Sequence, residues 1–156
     1  MNNTIKAFFT DVDGTLTDGS LYYDKNGETL KVFNVKDGKG LKLWNENRNN
    51  LCGIISAKDS AALRFRINEL RIQHMALGIE DKFSWMENWL HKNQLEWKNL
   101  AYIGDDLNDL DIIIKCGYSA CPSDAVQIIR EKSDYVCNLS GGKGCVREFI
   151  DLLLTV

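Results

Sequence analysis

The chain has 156 residues, 44% of them apolar and 26% charged, with 22 acidic against 19 basic side chains and a net charge of -3. That is enough chain for one domain with a substantial core, without the basic excess of a nucleic-acid binder or an apolar run long enough to span a bilayer. Met1-Asn2-Asn3-Thr4-Ile5-Lys6 lacks the apolar stretch of a secretory signal, and the scattered Cys52, Cys116, Cys121, Cys137 and Cys145 form no Cys-x-x-Cys pair, so reduced thiols in a cytoplasmic protein are expected.

Short apolar runs alternate with helical patterns. Residues 5–10 (IKAFFT) read as a buried strand. Residues 21–24 and 29–34 alternate in the β manner around Lys25-Asn26-Gly27-Glu28, and Asn-Gly between such runs is a strong hairpin signal. A hairpin over 20–34 is therefore predicted, projecting between the first strand and the first helix. Helices follow at 40–49, 60–70, 82–93, 108–115, 124–130 and 145–154. Strands are expected at 51–56 (LCGIIS), 73–77, 99–103 (NLAYI) and 135–137, with a short one before Pro122. This order predicts an α/β domain over residues 1–156, a doubly wound, mostly parallel sheet covered on both faces, with no room for a separate cap domain.

Four features fall where strands hand over to helices, the edge at which open parallel sheets bind ligands. Asp11-Val12-Asp13-Gly14-Thr15 follows the first strand. Two carboxylates two residues apart can enter one site if the chain turns at Gly14, and a cation would offset their repulsion. The plainer reading is an acidic turn; a calcium loop fails because it wants glycine sixth, and Gly14 is fourth. Gly104-Asp105-Asp106-Leu107-Asn108-Asp109 follows the NLAYI strand. A helix cap accounts for one aspartate there, whereas hard oxygen ligands suit Mg²⁺. Ser56 closes LCGIIS and could donate to a phosphoryl oxygen or simply cap a helix. Lys82 opens a helix, against the macrodipole, so it is either solvated or held by nearby negative charge.

In this order DVDGT, Ser56, Lys82 and GDDLND resemble the four signature motifs of the haloacid dehalogenase superfamily, whose sheet is Rossmann-like. The resemblance implies a Mg²⁺-dependent phosphatase. Asp11 would be the nucleophile that becomes an aspartyl phosphate, and Asp13 the acid for the leaving alkoxide and then the base for water. Ser56 and Lys82 would hold phosphoryl oxygens. Asp11, Asp105 and the backbone carbonyl of Asp13 would bind the metal. Asp109, with Asp106 in support, would orient Lys82 or a metal-bound water. A carboxylate with an ordinary pKa near ~3.9 needs no activating base, whereas Asp13 needs surroundings that favour its protonated form.

The stretch from Asn26 to Gly40 (NGETLKVFNVKDGKG) and Gly141 to Glu148 (GGKGCVRE) is similar to a capless branch, the phosphatases of 3-deoxy-D-manno-octulosonate 8-phosphate. That likeness implies a place in lipopolysaccharide biosynthesis, a homotetramer with its hairpins assembled centrally, and Asp37 and Gly38 near a sugar phosphate substrate. It also implies a Gly141–Gly144 loop that helps close the pocket. The branch carries Thr-Gly-Arg where this chain has Ser56-Ala57-Lys58, which keeps the hydroxyl but loses the bidentate geometry of arginine. The nine-carbon 2-keto-3-deoxynononate or sialic acid 9-phosphates therefore stay open as substrates, with Ala57 and Lys58 lining the pocket. Arg66 is placed either on the substrate carboxylate or on an exposed helix face. Two non-enzymatic readings stand beside these. A receiver-type switch would carry its adjacent acid pair first, whereas Asp105-Asp106 comes late. An idle phosphatase-like assembly module would not need both Asp11 and Asp13.

Overall fold

The computed structural model describes residues 4–46 and 50–155. Strand β1 (Ala7–Thr10) is followed by a hairpin, β2 (Tyr22–Asp24) and β3 (Gly27–Leu30), and by helix α1 (Val35–Glu46). Then come β4 (Leu51–Ser56), α2 (Ala61–Leu70), β5 (His74–Leu77), α3 (Lys82–Lys92), β6 (Leu100–Ile103), α4 (Leu110–Lys115), β7 (Tyr118–Cys121), α5 (Gln127–Lys132), β8 (Tyr135–Val136) and α6 (Cys145–Thr155).

Six strands form one sheet in the order β5-β4-β1-β6-β7-β8, every neighbouring pair parallel. All four residues of β1 are buried, as a strand covered on both faces must be. Alternation along it sorts the core: Phe8 joins Leu41, Trp44, Leu63, Ile67, Phe149 and Ile150 under α1, α2 and α6. Phe9 joins Met86, Trp89, Leu90, Ile112 and Ile129 under α3, α4 and α5. The predicted doubly wound α/β architecture is the observed one.

The differences are local. The hairpin ladder ends at Leu30, short of residue 34. The first helix begins at Val35, five residues before the predicted start. Gly38 and Gly40 argue against a helix by propensity, but Asn34 caps the turn by accepting from the Lys36 N–H at 2.8 Å. The predicted end of that helix, residues 47–49, lies outside the described residues. The segment 108–115 opens as a tight turn over Leu107–Asp109 before α4.

What matters for function is the switch point. From β1 the strand order runs one way through β4 and β5 and the other way through β6, β7 and β8. The crevice this leaves lies beyond the carboxyl ends of β1 and β6. Asp11 and Asp105 lie just past those two ends.

Candidate active site

Asp11 continues the line of β1, its N–H bonded to the Ile103 carbonyl at 2.9 Å. Lys82, first residue of α3, turns inward rather than to solvent and is 1% exposed. Its Nζ donates to Asp11 Oδ1 at 2.5 Å and to Asp109 Oδ1 at 2.7 Å, which answers why a lysine can sit at that helix start. Asp109 accepts three further bonds: Tyr102 OH donates to Oδ1 at 2.6 Å, and the Asp105 and Asp106 N–H groups to Oδ2 at 3.1 and 3.4 Å. Thr15 Oγ1 donates to Asp105 Oδ1 at 3.2 Å. Four elements thus deliver one connected cluster of alternating charge.

Carboxylate oxygens of Asp11, Asp105 and Asp109 lie within 4.8 Å of one another. Against three carboxylates stands one ammonium, a shortfall of two positive charges that one divalent cation would close. The donors are all hard oxygens, as Mg²⁺ requires. Asp109 is already engaged by Lys82, Tyr102 and backbone N–H groups, so Asp11 and Asp105 are the carboxylates with capacity left for a metal. The Asp13 carboxylate is not in this trio. It is ion-paired with Lys31, at the exit of β3, and Lys31 also bonds Glu28 at 3.1 Å; in place of the expected surroundings that favour a protonated Asp13, the structure gives it an ammonium, which favours the carboxylate of its base step.

Burial pushes the Asp11 carboxyl well above its ordinary range, and Asp109 adds to this while Lys82 opposes it. Asp11 therefore departs from the ordinary carboxylate expected from sequence. Burial also raises Asp105, to about 6, with Asp109 again adding to the effect. Burial works to lower the Lys82 pKa, but the charges of Asp11 and Asp109 outweigh it and hold the ammonium above the usual lysine value.

The chain must come very close to itself here. Gly14 has φ +94°, and a Cβ on it would collide with the Asp105 carboxylate. A Cβ on Gly141 would strike the Gly14 carbonyl. The Gly142 N–H donates to Thr15 O at 2.9 Å, so the Gly141–Gly144 loop braces the Asp13–Thr15 turn from behind.

The remaining candidates separate from this cluster. Ser56 is buried at the end of β4, beside β1, and its Oγ accepts from the Lys58 N–H at 3.1 Å. Ala57 is exposed, and Lys58 Nζ stands 4.0 Å from Glu28. Asp106 is an exposed cap that accepts from the Leu107 N–H at 2.7 Å. Asp37 and Gly38 are buried beneath α6, where Asp37 Oδ1 accepts from the Arg147 N–H at 2.8 Å. Arg66 is half-buried, pairs with Glu69 at 2.7 Å and lies over the Phe33 ring. Asp37, Gly38 and Arg66 line a cavity of about 10 Å³, room for one water. Asp37 Oδ2 and Arg66 Nε are buried there without a partner among the described residues. Burial raises the Asp37 carboxyl to about 6.

Sequence reasoning passed over Lys31 and Tyr102. The hydroxyl in an otherwise apolar strand was the visible signal for Tyr102. Lys31 had none, because its partner Asp13 is eighteen positions away.

The model of the haloacid dehalogenase-like hydrolases matches residues 22–149. The chain belongs to that family. This hydrolase is 39% identical over 150 residues to the 3-deoxy-D-manno-octulosonate 8-phosphate phosphatase of Haemophilus influenzae, covering 96% of this chain and 83% of the relative. The cobalt-bound form of the Haemophilus influenzae phosphatase superposes with TM-score 0.93 at 38% identity, over 99% of this chain and 90% of that one. The corresponding enzyme of Moraxella catarrhalis, solved with a magnesium ion, a phosphate ion and a KDO molecule, gives TM-score 0.94 at 36% identity over 99% and 88%. The hydrolase has no helix, among its described residues, that is long and apolar enough to cross a membrane.

Proposed function

We infer that this hydrolase is a Mg²⁺-dependent phosphatase of 3-deoxy-D-manno-octulosonate 8-phosphate, and that Asp11 is its nucleophile. The observation that carries the residue assignment is the buried Asp11–Lys82–Asp109 chain beside Asp105 at the switch point. The substrate follows from relatives named for that ester at 37–39% identity over 96% of the chain.

Asp11 attacks phosphorus as the bond to the sugar oxygen breaks, leaving an aspartyl phosphate and an alkoxide. Asp13 protonates that alkoxide, then takes a proton from the water that releases inorganic phosphate. Lys82 donates to two carboxylates and, with three N–H donors, keeps one for a phosphoryl oxygen; the Ser56 hydroxyl supplies another. Asp109, fixed by Tyr102 and the Asp105 N–H, holds Lys82 on line. Asp11, Asp105 and the Asp13 carbonyl would hold Mg²⁺, which when bound neutralises charge that otherwise repels a carboxylate from a phosphate dianion.

The assembly reading is a homotetramer built on the hairpin. Tyr22, Tyr23, Leu30 and Val32 are between 42% and 62% exposed, a run of large apolar groups that a free monomer rarely displays. A single domain and a cytoplasmic location complete the reading, supported by one continuous six-stranded sheet and five free thiols.

The test is a kcat/KM comparison of purified protein, with Mg²⁺ and with EDTA, on the eight-carbon ester, its nine-carbon analogue and phosphoglycolate. The eight-carbon ester is expected to lead and EDTA to abolish turnover. Preference for phosphoglycolate would overturn the substrate assignment.

A further inference from the structure

Lys31 is a lysine with almost no solvent: its side chain is 3% exposed, where such a group is normally solvated. It stands at the exit of β3 and reaches across to Asp13, engaging the carboxylate through Oδ1 alone. Glu28, three residues back in β3, holds the same ammonium at 3.1 Å, and Lys58 backs Glu28 at 4.0 Å. Side-chain exposure is 24% at Asp13, 3% at Lys31, 16% at Glu28 and 41% at Lys58, so the ammonium is the most buried point of the row. The row ties the loop after β1 to the hairpin and to the loop after β4. A buried lysine so placed costs desolvation and side-chain entropy, and its contact falls on the one catalytic carboxylate that the Lys82 cluster does not hold.

We propose that Lys31 is a positioning residue for this hydrolase's acid–base step: the hairpin of each chain aims its own Asp13 at the leaving oxygen through Lys31, with Glu28 as the anchor. The inference rests on the assignments of Asp11 as nucleophile and Asp13 as acid given above. When the phosphorus–oxygen bond breaks, the electron pair stays on the sugar oxygen. An alkoxide there needs a proton at that moment, and Asp13 supplies it. Holding Oδ1 fixes the plane of the carboxyl group and leaves Oδ2 for the transfer. A displacement on the order of 1 Å costs such a step up to about 10²-fold.

The signature is selective for the leaving group. p-Nitrophenolate departs as a stable anion and needs no proton, whereas the sugar alkoxide does. Lys31→Met, which keeps the stem and removes the charge, is expected to slow single-turnover release of the sugar from the octulosonate ester by about 10- to 100-fold. Single-turnover release of p-nitrophenolate should stay within about 3-fold, with KM for either ester little changed; the later hydrolysis of the aspartyl phosphate, in which Asp13 is the base for both esters, lies outside this readout. Lys31→Arg should recover most of the loss, and Glu28→Gln, on the more exposed partner, should reproduce it in weaker form. Equal losses on both esters in Lys31→Met and Glu28→Gln would overturn the proposal, because they would report a disturbed site rather than a misaimed acid. A raised KM for the sugar ester with single-turnover release intact would also overturn it, by making Lys31 a sugar-binding residue. Asp11→Asn in the same assay separates the two inferences. If Asp11→Asn still turns over either ester, the underlying assignment falls. If it is inactive and Lys31→Met shows no selectivity, only the role of Lys31 falls.

Discussion

The centre of the carboxylate cluster and the tip of the hairpin invert the usual burial rule in opposite directions. At the first, Asp11, Lys82 and Asp109 are charged and at most 5% exposed. At the second, Tyr23 is apolar and 62% exposed. Burial of charge is tolerated because each group has a partner within hydrogen-bond reach, and the deficit that remains is the size of a divalent cation. The hairpin is tolerated because its ladder needs no core of its own and its apolar side is the kind that meets another surface. Local stability explains neither region, and both become intelligible once each is assigned something to hold.

The comparison can be broken at the cluster first. Asp11→Asn should cut kcat by at least about 10⁴-fold, in line with removal of a covalent nucleophile. It should not lower the melting temperature in EDTA, since it deletes a buried charge that folding strains to accommodate. A destabilised Asp11→Asn would mean that the carboxylate is structural. Lys82→Met should be next in size. Leaving Asp11 and Asp109 uncompensated is expected to cost about 3–5 kcal/mol, readable as a lower urea midpoint. A loss under about 1 kcal/mol would mean the row is solvated after all.

Protonation gives a smaller and directional effect. Asp105 and Asp37 have pKa values raised from 3.8 to about 6 in the folded protein, so the native state binds their protons more tightly than the unfolded chain does. Their contribution to stability is complete below about pH 4 and is lost as pH rises through about 6. In EDTA the two should therefore lower the melting temperature as pH climbs from about 4 to about 7. Saturating Mg²⁺ should remove the share due to Asp105, and Asp37→Asn the share due to Asp37. A melting profile unchanged by Mg²⁺ would contradict the charge deficit. Least of all should happen to monomer stability when Tyr23→Ser is made at the hairpin, within about 0.5 kcal/mol, while the mass seen by native mass spectrometry should fall if the hairpin builds the oligomer.

Much of this is legible in the order of the residues alone. Apolar runs marked the strands, and acids at their carboxyl ends marked the rim, because a parallel sheet leaves only that edge for polar groups. The apolar run 51–56 has the same bounds as strand β4. Lys82 was legible as a puzzle, a cation at a helix start, and the fold supplied Asp11 and Asp109 as the answer. What escaped was whatever depends on two distant segments meeting. Lys31 belongs to the hairpin by its neighbours and to Asp13 only by tertiary contact. Val35 starts a helix despite two glycines in its first two turns. Asp37, placed near substrate by resemblance, and Arg66, left between the substrate carboxylate and an exposed helix face, line one small cavity, a meeting that neither residue's neighbours announce.

The brace behind the Asp13–Thr15 turn carries a consequence for how activity is acquired. Thr15 O receives the Gly142 N–H and, at 3.3 Å, the Cys145 Sγ, groups nearly a full chain length away from it. Closure over so long a separation is entropically late. The loop that carries the acid is thus steadied only after α6 has docked, so secondary structure should return first on refolding and turnover last. Catalytic competence is then expected to return together with the docking of α6.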